Sequence, residues 1–151
     1  LIPCNLYGEY DKYTEHNSHF VAALIKKIHE ADEKISLWGS GKPLRQFIYG
    51  GDLAYVISRM IEEDVYENVN VAPPWVYSID EMANIAIKAC GKAHLKITYD
   101  STKPDGQYRK DVESIKLQNI LGGFKFTPLE KGIRQTYNRI KNKKNLFRNN
   151  G

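Results

Sequence analysis

The sequence predicts an α/β fold with few, short strands, and three observations predict it. Apolar residues recur at helical spacing in several separate segments. Between them lie brief runs of β-formers. Glycine, proline and capping residues punctuate the junctions. Helices alternating with short strands point to α/β. So few strands suit a small lobe packed on a larger sheet better than a complete doubly wound domain.

Taken in order, Leu1 to Asn5 reads as a strand end and Leu6 to Ser18 as a polar loop. The first helix follows, with Phe20, Leu24 and Ile28 every four residues, Val21, Ile25 and Ala31 beside them, and Asn17 or Ser18 as its cap. Ile35 to Trp38 reads as a strand. Gly39, Gly41 and Pro43 break it into a turn, and Gln46 to Tyr49 forms a second β-rich run. Asp52 is the expected cap of a helix starting at Leu53, whose stripe is Leu53, Val56, Ile57, Met60 and Ile61. Val69-Asn70-Val71 reads as a strand stopped by Pro73-Pro74. Ser78 and Glu81 form a capping box for a third helix, closed by Gly91. Leu95 to Tyr99 alternates as a strand, and Ser101 to Arg109 is a polar loop. A short helix runs from Ser114 to Leu121. The last has Thr127 as cap, Pro128 at its first position, Glu130 for the box, and Leu129, Ile133, Tyr137 and Ile140 inward.

At 151 residues, 42% hydrophobic and 26% charged, the chain is long enough to bury a sizeable core. Its net charge of +4 is mild, and much of the excess lies in the tail at Arg139, Lys141, Lys143, Lys144 and Arg148. No nucleic-acid-binding motif accompanies these residues, so the tail reads as a solvated, frayed end with no nucleic-acid partner. Cys4 and Cys90 are the only cysteines and form no metal-spaced cluster, which makes a reducing, cytoplasmic setting the expectation. No run has the length of a membrane span or reads as a signal peptide. The chain begins with Leu1 rather than Met, within an expected strand, and so reads as a piece of something longer.

The chemistry concentrates in Trp38-Gly39-Ser40-Gly41 and Arg45. On residue chemistry alone this is a surface hairpin with Trp38 packed on the core and Arg45 solvated. The sharper reading is an oxyanion and flat-ring site, because the planar Arg fork binds oxyanions bidentately. His19, at the first helix's start, is a candidate acid or base weighed against a plain surface histidine. His16, His29 and His94 lack supporting context, and no His/Cys/Asp set has metal spacing. There is no Gly-x-Gly-x-x-Gly, nucleophile elbow or phosphate loop. The two Tyr-x-x-x-Lys matches, Tyr99 with Lys103 and Tyr137 with Lys141, read as chance: the first is not helical, and the second puts Tyr137 on an apolar face.

Pro3-Cys4-Asn5-Leu6-Tyr7-Gly8, Asn17-Ser18-His19, Trp38-Gly39-Ser40-Gly41, Arg45 to Tyr49, Asp52-Leu53-Ala54 and Lys103-Pro104-Asp105-Gly106 with Arg109-Lys110 together carry a family resemblance. From about Leu1 to Lys141 the chain resembles the GDP-L-fucose synthase family, extended short-chain dehydrogenases that act as GDP-4-keto-6-deoxymannose 3,5-epimerase/4-reductases. The resemblance implies the C-terminal substrate-binding lobe of that fold, with the Rossmann domain largely missing. It implies NADP as cofactor, a GDP-sugar substrate and a homodimeric full-length enzyme. Pro3, Cys4, Asn5 and Leu6 fall where the last Rossmann strand meets the nicotinamide end of NADP. His19 falls on the catalytic acid/base, also beside the cofactor. Lys27, Trp38, Arg45, Asp105 and Lys110 fall on substrate-contacting positions. The implied division is residues 1–18 as strand end and active-site loop, 19–143 as substrate-binding lobe and 144–151 as frayed tail.

A C4 ketone acidifies the C3 and C5 protons, so an acid/base pair can invert those centres before hydride reduces C4. The family's glycine-rich loop, catalytic Ser, Tyr-x-x-x-Lys pair and catalytic Cys have no counterparts in these 151 residues, and the chain is expected to be inactive alone. Cys4 stands where the family usually has Thr, and Gly50-Gly51 where it has Val-Asp. Two alternatives stay open: a non-catalytic nucleotide-sugar-binding or interaction module, and a related enzyme acting on another nucleotide sugar.

Overall fold

A computed structural model describes residues 1–13 and 18–143. The expected Asn17 cap, His16 and the tail at 144–151 lie outside the described residues. The chain runs β1 (Ile2–Pro3), β2 (Asn5–Tyr7), α1 (Phe20–Glu30), β3 (Lys34–Trp38), β4 (Leu44–Arg45), β5 (Phe47–Tyr49) and α2 (Gly50–Glu62). It continues with β6 (Asn70–Val71), β7 (Tyr77–Ser78), α3 (Ile79–Ala89), β8 (Lys96–Asp100), β9 (Arg109–Lys110), α4 (Ile115–Ile120) and α5 (Leu129–Ile140). The strands pair parallel as β1 with β6, β2 with β5 and β3 with β8, and a fourth small sheet has β4 between β7 and β9.

The α/β reading stands, with helices between parallel strands, but the hairpin does not. Parallel partners need a crossover: β5 pairs with β2 across α1, and β3 pairs with β8 across α2 and α3. Trp38 is not packed on the core; it is 68% exposed at the end of β3. The loop expected from Leu6 starts later, because Leu6 and Tyr7 pair with Ile48 and Tyr49. The 101–109 loop gives up its end to β9, which pairs with Leu44 and Arg45.

The β2–β5 pair is the wall between two cores. Successive side chains in a strand point to opposite faces. Phe47 therefore enters one cluster, with Ile25, Ile28, Met82, Ala86 and Ile133 of α1, α3 and α5. Ile48 enters the other, with Val56, Met60, Val71, Leu117 and Phe126. The α2 stripe is narrower than expected: Val56 and Met60 are buried, but Ile57 and Ile61 are exposed.

Helix ends divide into those set locally and those set by distant partners. The α3 capping box forms as expected: Glu81 N donates to Ser78 Oγ at 3.0 Å, and Ser78 N donates to Glu81 Oε2 at 2.8 Å. The other caps are corrected. The α1 cap is His19, with no side-chain cap bond. Helix α2 starts at Gly50, not Leu53, so Asp52 is inside its first turn. There its buried carboxylate accepts from Thr127 N and Thr127 Oγ1, each at 2.7 Å. The hydroxyl expected to cap α5 is thereby occupied, and Pro128 takes the cap position.

Gln46, just before β5, is 3% exposed. Its amide donates to Pro73 O at 3.0 Å and Val112 O at 3.1 Å and accepts from Val112 N at 2.7 Å, while Asn5 Nδ2 donates to its carbonyl at 2.7 Å. Gly132 of α5 lies against the buried Tyr7 ring, close enough that a Cβ there would overlap Tyr7 Oη. That hydroxyl has no hydrogen-bond partner among the described residues.

A helix-interior Gly→Ala change ordinarily stabilises by roughly 0.5–1 kcal/mol. Here overpacking, which costs about 1–3 kcal/mol, should dominate, so Gly132→Ala should lower the Tm by roughly 2–12 °C. Adding Tyr7→Phe should restore part of the loss, because it removes the overlapping oxygen. A rise in Tm for the single variant, measured by thermal denaturation, would show that α5 does not approach Tyr7 this closely.

Candidate functional site

Beside the first core a cleft of about 550 Å³ opens between α1, the end of β3 and the turn that follows it. Five of the residues singled out from the sequence line it together: Asn5, Lys27, Trp38, Arg45 and Asp105. They come from β2, α1, β3, β4 and the loop after β8, so only tertiary folding assembles them. The wall is apolar, from Phe20, Ala23, Leu24, Leu37, Phe47 and Ile79. Two cations at the rim of an apolar trough with one exposed indole suit an elongated ligand carrying both a flat ring and negative charge.

Each cation is held by bonds to backbone carbonyls. Lys27 sits on the half of α1 that faces β3 and donates through Nζ to Ser36 O at 2.7 Å. Arg45 donates through Nη1 to its own neighbour's Leu44 O at 2.8 Å and to Tyr108 O at 3.5 Å. Lys103 Nζ stands 5.6 Å over the Trp38 ring. Asn5 reaches the cleft but already donates to Gln46 O.

Asp105 lines the cleft with its carboxylate engaged by Ser40. Its Oδ1 accepts from Ser40 N at 2.5 Å and its Oδ2 from Ser40 Oγ at 2.7 Å. It braces the turn, and those hydrogen bonds hold its carboxyl below the ordinary aspartate value. Gly39 and Gly41 both have positive φ, at 77° and 75°. A Cβ on Gly41 would come within 2.6 Å of the Tyr99 ring, so the turn is packed as well as twisted. Tyr99 in turn donates to Asp80 Oδ1, and Asp80 N donates to Gly41 O at 2.9 Å.

The remaining candidates lie around the cleft rather than in its wall. Lys110 is exposed on β9, opposite Arg45 in register. Pro3 pairs with Val71 in β1. Cys4 packs on the second core, and burial pushes its thiol up to about 12, which makes it an inert side chain. Leu6 is exposed. His19 is exposed next to the cleft residues Ser18 and Phe20, with Nδ1 2.9 Å from Asp11 Oδ1. Among the described residues no group of His, Cys, Asp and Glu could hold a metal ion, and no helix is long and apolar enough to cross a membrane. The sequence reading missed Ser40, Asp80 and Tyr99 as supports of the turn beside the cleft. Only Gly-Ser-Gly signalled a tight turn, and nothing local links Ser40 to a carboxylate 65 residues away.

The Asp105 brace should respond to acid in a defined sense. A carboxyl whose pKa is depressed by folding contributes order above its unfolded value, and that order is lost as pH falls through the depressed one. The Ser40 amide resonance should therefore move only below the ordinary carboxylate range, and Asp105→Asn should abolish the titration. A midpoint at the ordinary aspartate value would mean that the brace does not form in solution.

Residues 1–72 match the family described as "NAD dependent epimerase/dehydratase family". Over 150 residues, 95% of this chain and 48% of the relative, the sequence is 38% identical to a GDP-L-colitose synthase of Yersinia pseudotuberculosis. Over 141 residues, 90% of this chain and 42% of the relative, it is 38% identical to a probable GDP-L-fucose synthase of Oryza sativa subsp. japonica. The fold superposes on a GDP-L-fucose synthetase of Naegleria fowleri bound to NADP, with a TM-score of 0.86, 26% identity, and coverage of 98% of this chain and 48% of that one. The chain thus spans about half the length of the curated relatives it matches. By sequence over most of its length and by fold, the chain is similar to about half of a GDP-L-fucose synthase, and its first 72 residues match the NAD dependent epimerase/dehydratase family.

Proposed function

We propose that this chain is the C-terminal, substrate-binding part of an NADP-dependent epimerase/reductase that acts on a GDP-linked 4-keto-6-deoxyhexose. The observation that carries the reading is the convergence of Lys27, Trp38 and Arg45 on one cleft. Arg45 grips the diphosphate with its planar fork, Lys27 adds a second charge, and Trp38 offers a flat wall. Asp105 acts on this site through the turn that it braces. Lys110, one strand over from Arg45, extends the positive field at the rim.

In this reading residues 1–18 supply the strand end and loop at the nicotinamide end of NADP, and 19–143 the lobe. Leu6 is exposed at that strand end and His19 beside the cleft, so one apolar and one titratable side chain face outward where a nicotinamide would lie. NADPH held at that end would supply the hydride for reduction at C4. His19 moves protons at C3 and C5, which a C4 ketone makes acidic. The 151 residues contain no glycine-rich phosphate loop, so they provide one end of a dinucleotide site. The similarity to a GDP-L-colitose synthase at the same 38% identity favours a GDP-sugar as the shared feature and leaves room for a different sugar.

Losing a charge-assisted Arg–phosphate contact costs about 1.5–3 kcal/mol, so Arg45→Ala should weaken binding of a GDP-sugar roughly ten- to a hundredfold by calorimetry. Arg45→Lys should recover only part, because an ammonium cannot reproduce the fork. Unchanged affinity with a Tm several degrees lower would make Arg45 a structural residue. The purified 151-residue chain should not oxidise NADPH in the presence of GDP-4-keto-6-deoxymannose, and turnover above the blank would sink the assignment of reduction to residues outside this chain.

A further inference from the structure

His19 is the N-cap of α1, and its imidazole is open to solvent, the side chain 79% exposed. It is not free to turn. Nδ1 lies 2.9 Å from Asp11 Oδ1, and the Asp11 side chain is only 10% exposed. A carboxylate accepts hydrogen bonds and does not donate them, so the proton in this contact is on Nδ1. In the neutral ring Nε2 then carries the lone pair and points away from Asp11.

The turn that carries Asp11 is fixed from three sides. Asp11 N donates to Gly8 O at 3.2 Å, and Tyr13 Oη donates to the same carbonyl at 2.8 Å. Arg139 of α5 donates to Glu9 Oε1 at 2.6 Å, which anchors the turn to the last helix. The Asp11 carboxylate is itself oriented by Lys12 N, which donates to Oδ1 at 2.7 Å. Gly8 follows β2, so the whole device hangs from the strand pair between the two cores.

We propose that Asp11 is a positioning residue for His19: it holds the imidazole in the Nδ1–H tautomer and aims Nε2, as proton acceptor, at the mouth of the cleft. The proposal rests on the acid/base reading of His19 given above. In the step it serves, Nε2 takes a proton from the carbon beside the ketone, the C–H pair becomes the enolate, and the Nδ1–H bond to Asp11 supports the imidazolium that forms. Return of a proton from solvent to the opposite face of the carbon regenerates the ketone with that centre inverted, and His19 gives up its proton to water. No oxidant or reductant is consumed. Among the described residues, Asp11 faces this imidazole, Lys12 N and the Tyr13 phenol are the groups set against Asp11, and Glu9, held by Arg139, stands beside Tyr13.

Two measurements separate this proposal from the reading beneath it. The first uses the 151-residue chain and ¹⁵N-detected imidazole resonances near neutral pH. The neutral His19 ring should be mainly Nδ1–H. In Asp11→Ala it should revert to the Nε2–H form usual for an unrestrained imidazole, and Asp11→Asn, whose amide oxygen can still accept, should fall between. The same tautomer ratio in all three would overturn the proposal. The second uses a full-length enzyme carrying this segment and follows deuterium wash-in at C3 and C5. Asp11→Ala should slow it by about tenfold or more, within the roughly 10²–10⁴-fold that a positioned acid/base supplies. Hydride transfer to an already epimerised substrate should be spared, a split that loss of folding would not produce. Slow wash-in in His19→Asn beside normal wash-in in Asp11→Ala overturns the positioning role. Normal wash-in in both, with the tautomer still dependent on Asp11, overturns the acid/base reading of His19 and leaves the pair a structural contact.

Discussion

The buried amide of Gln46 is the constraint on which the rest depends. A polar side chain excluded from water is tolerated only when its donors and acceptors are used, and a partner removed from such a group costs about 1–3 kcal/mol. Gln46 uses both amide protons and its side-chain oxygen on the segments at Pro73 and Val112, and its main-chain carbonyl receives Asn5. One residue therefore sets the relative positions of β2, β5, the chain after β6 and the chain after β9. Its neighbours inherit the consequence: Arg45 is delivered to the cleft on one side, and Phe47 and Ile48 are delivered to the two cores on the other.

The cleft is built by the same economy. Lys27 and Asp105 are exposed and Arg45 half-buried, and the bonds that orient them range from a neighbouring carbonyl for Arg45 to Ser40, 65 residues away, for Asp105. Ser40 and Asp105 close the turn from one side, and Asp80 and Tyr99 close it from the other. The glycines exist to let these parts approach: the Tyr99 ring occupies the volume that a side chain on Gly41 would need. A turn pinned in this way presents Trp38 with little freedom to collapse onto the core, which explains an indole left 68% exposed in an otherwise ordinary surface. Preorganisation of this kind lowers the entropy lost when a ligand binds.

Asp11 and Asp52 carry the same lesson at two ends of the fold. Each looks in the sequence like a residue with a local role, a loop aspartate and a helix cap. Each spends its carboxylate elsewhere, Asp11 on His19 and Asp52 on Thr127. Asp52 joins the first turn of α2 to the start of α5, so one contact sets two helix starts that sequence periodicity assigns independently.

What the sequence determined by itself was most of the helices, the longer strands and a set of candidate site residues. Helical periodicity announced α1, α3 and α5, and the Ser78–Glu81 box marked the α3 start, because its two bonds are between residues three apart. Gly39-Ser40-Gly41 announced a turn, and Lys27, Trp38, Arg45 and His19 were legible through the chemistry of their side chains and a family pattern. Strand pairing was not legible. The two-residue strands β4, β7 and β9 are too short for any period to show, and a parallel partner such as β8 lies some sixty residues from β3 with no local signal to name it. Nor could the sequence reveal that Trp38 would stay exposed, that Asp105 would brace a turn, or that Asp11 would hold an imidazole. Local elements follow from interactions between residues a few positions apart, which the order of the chain contains. Side-chain destinations follow from which segments are brought together when two cores close, and only the tertiary structure decides that.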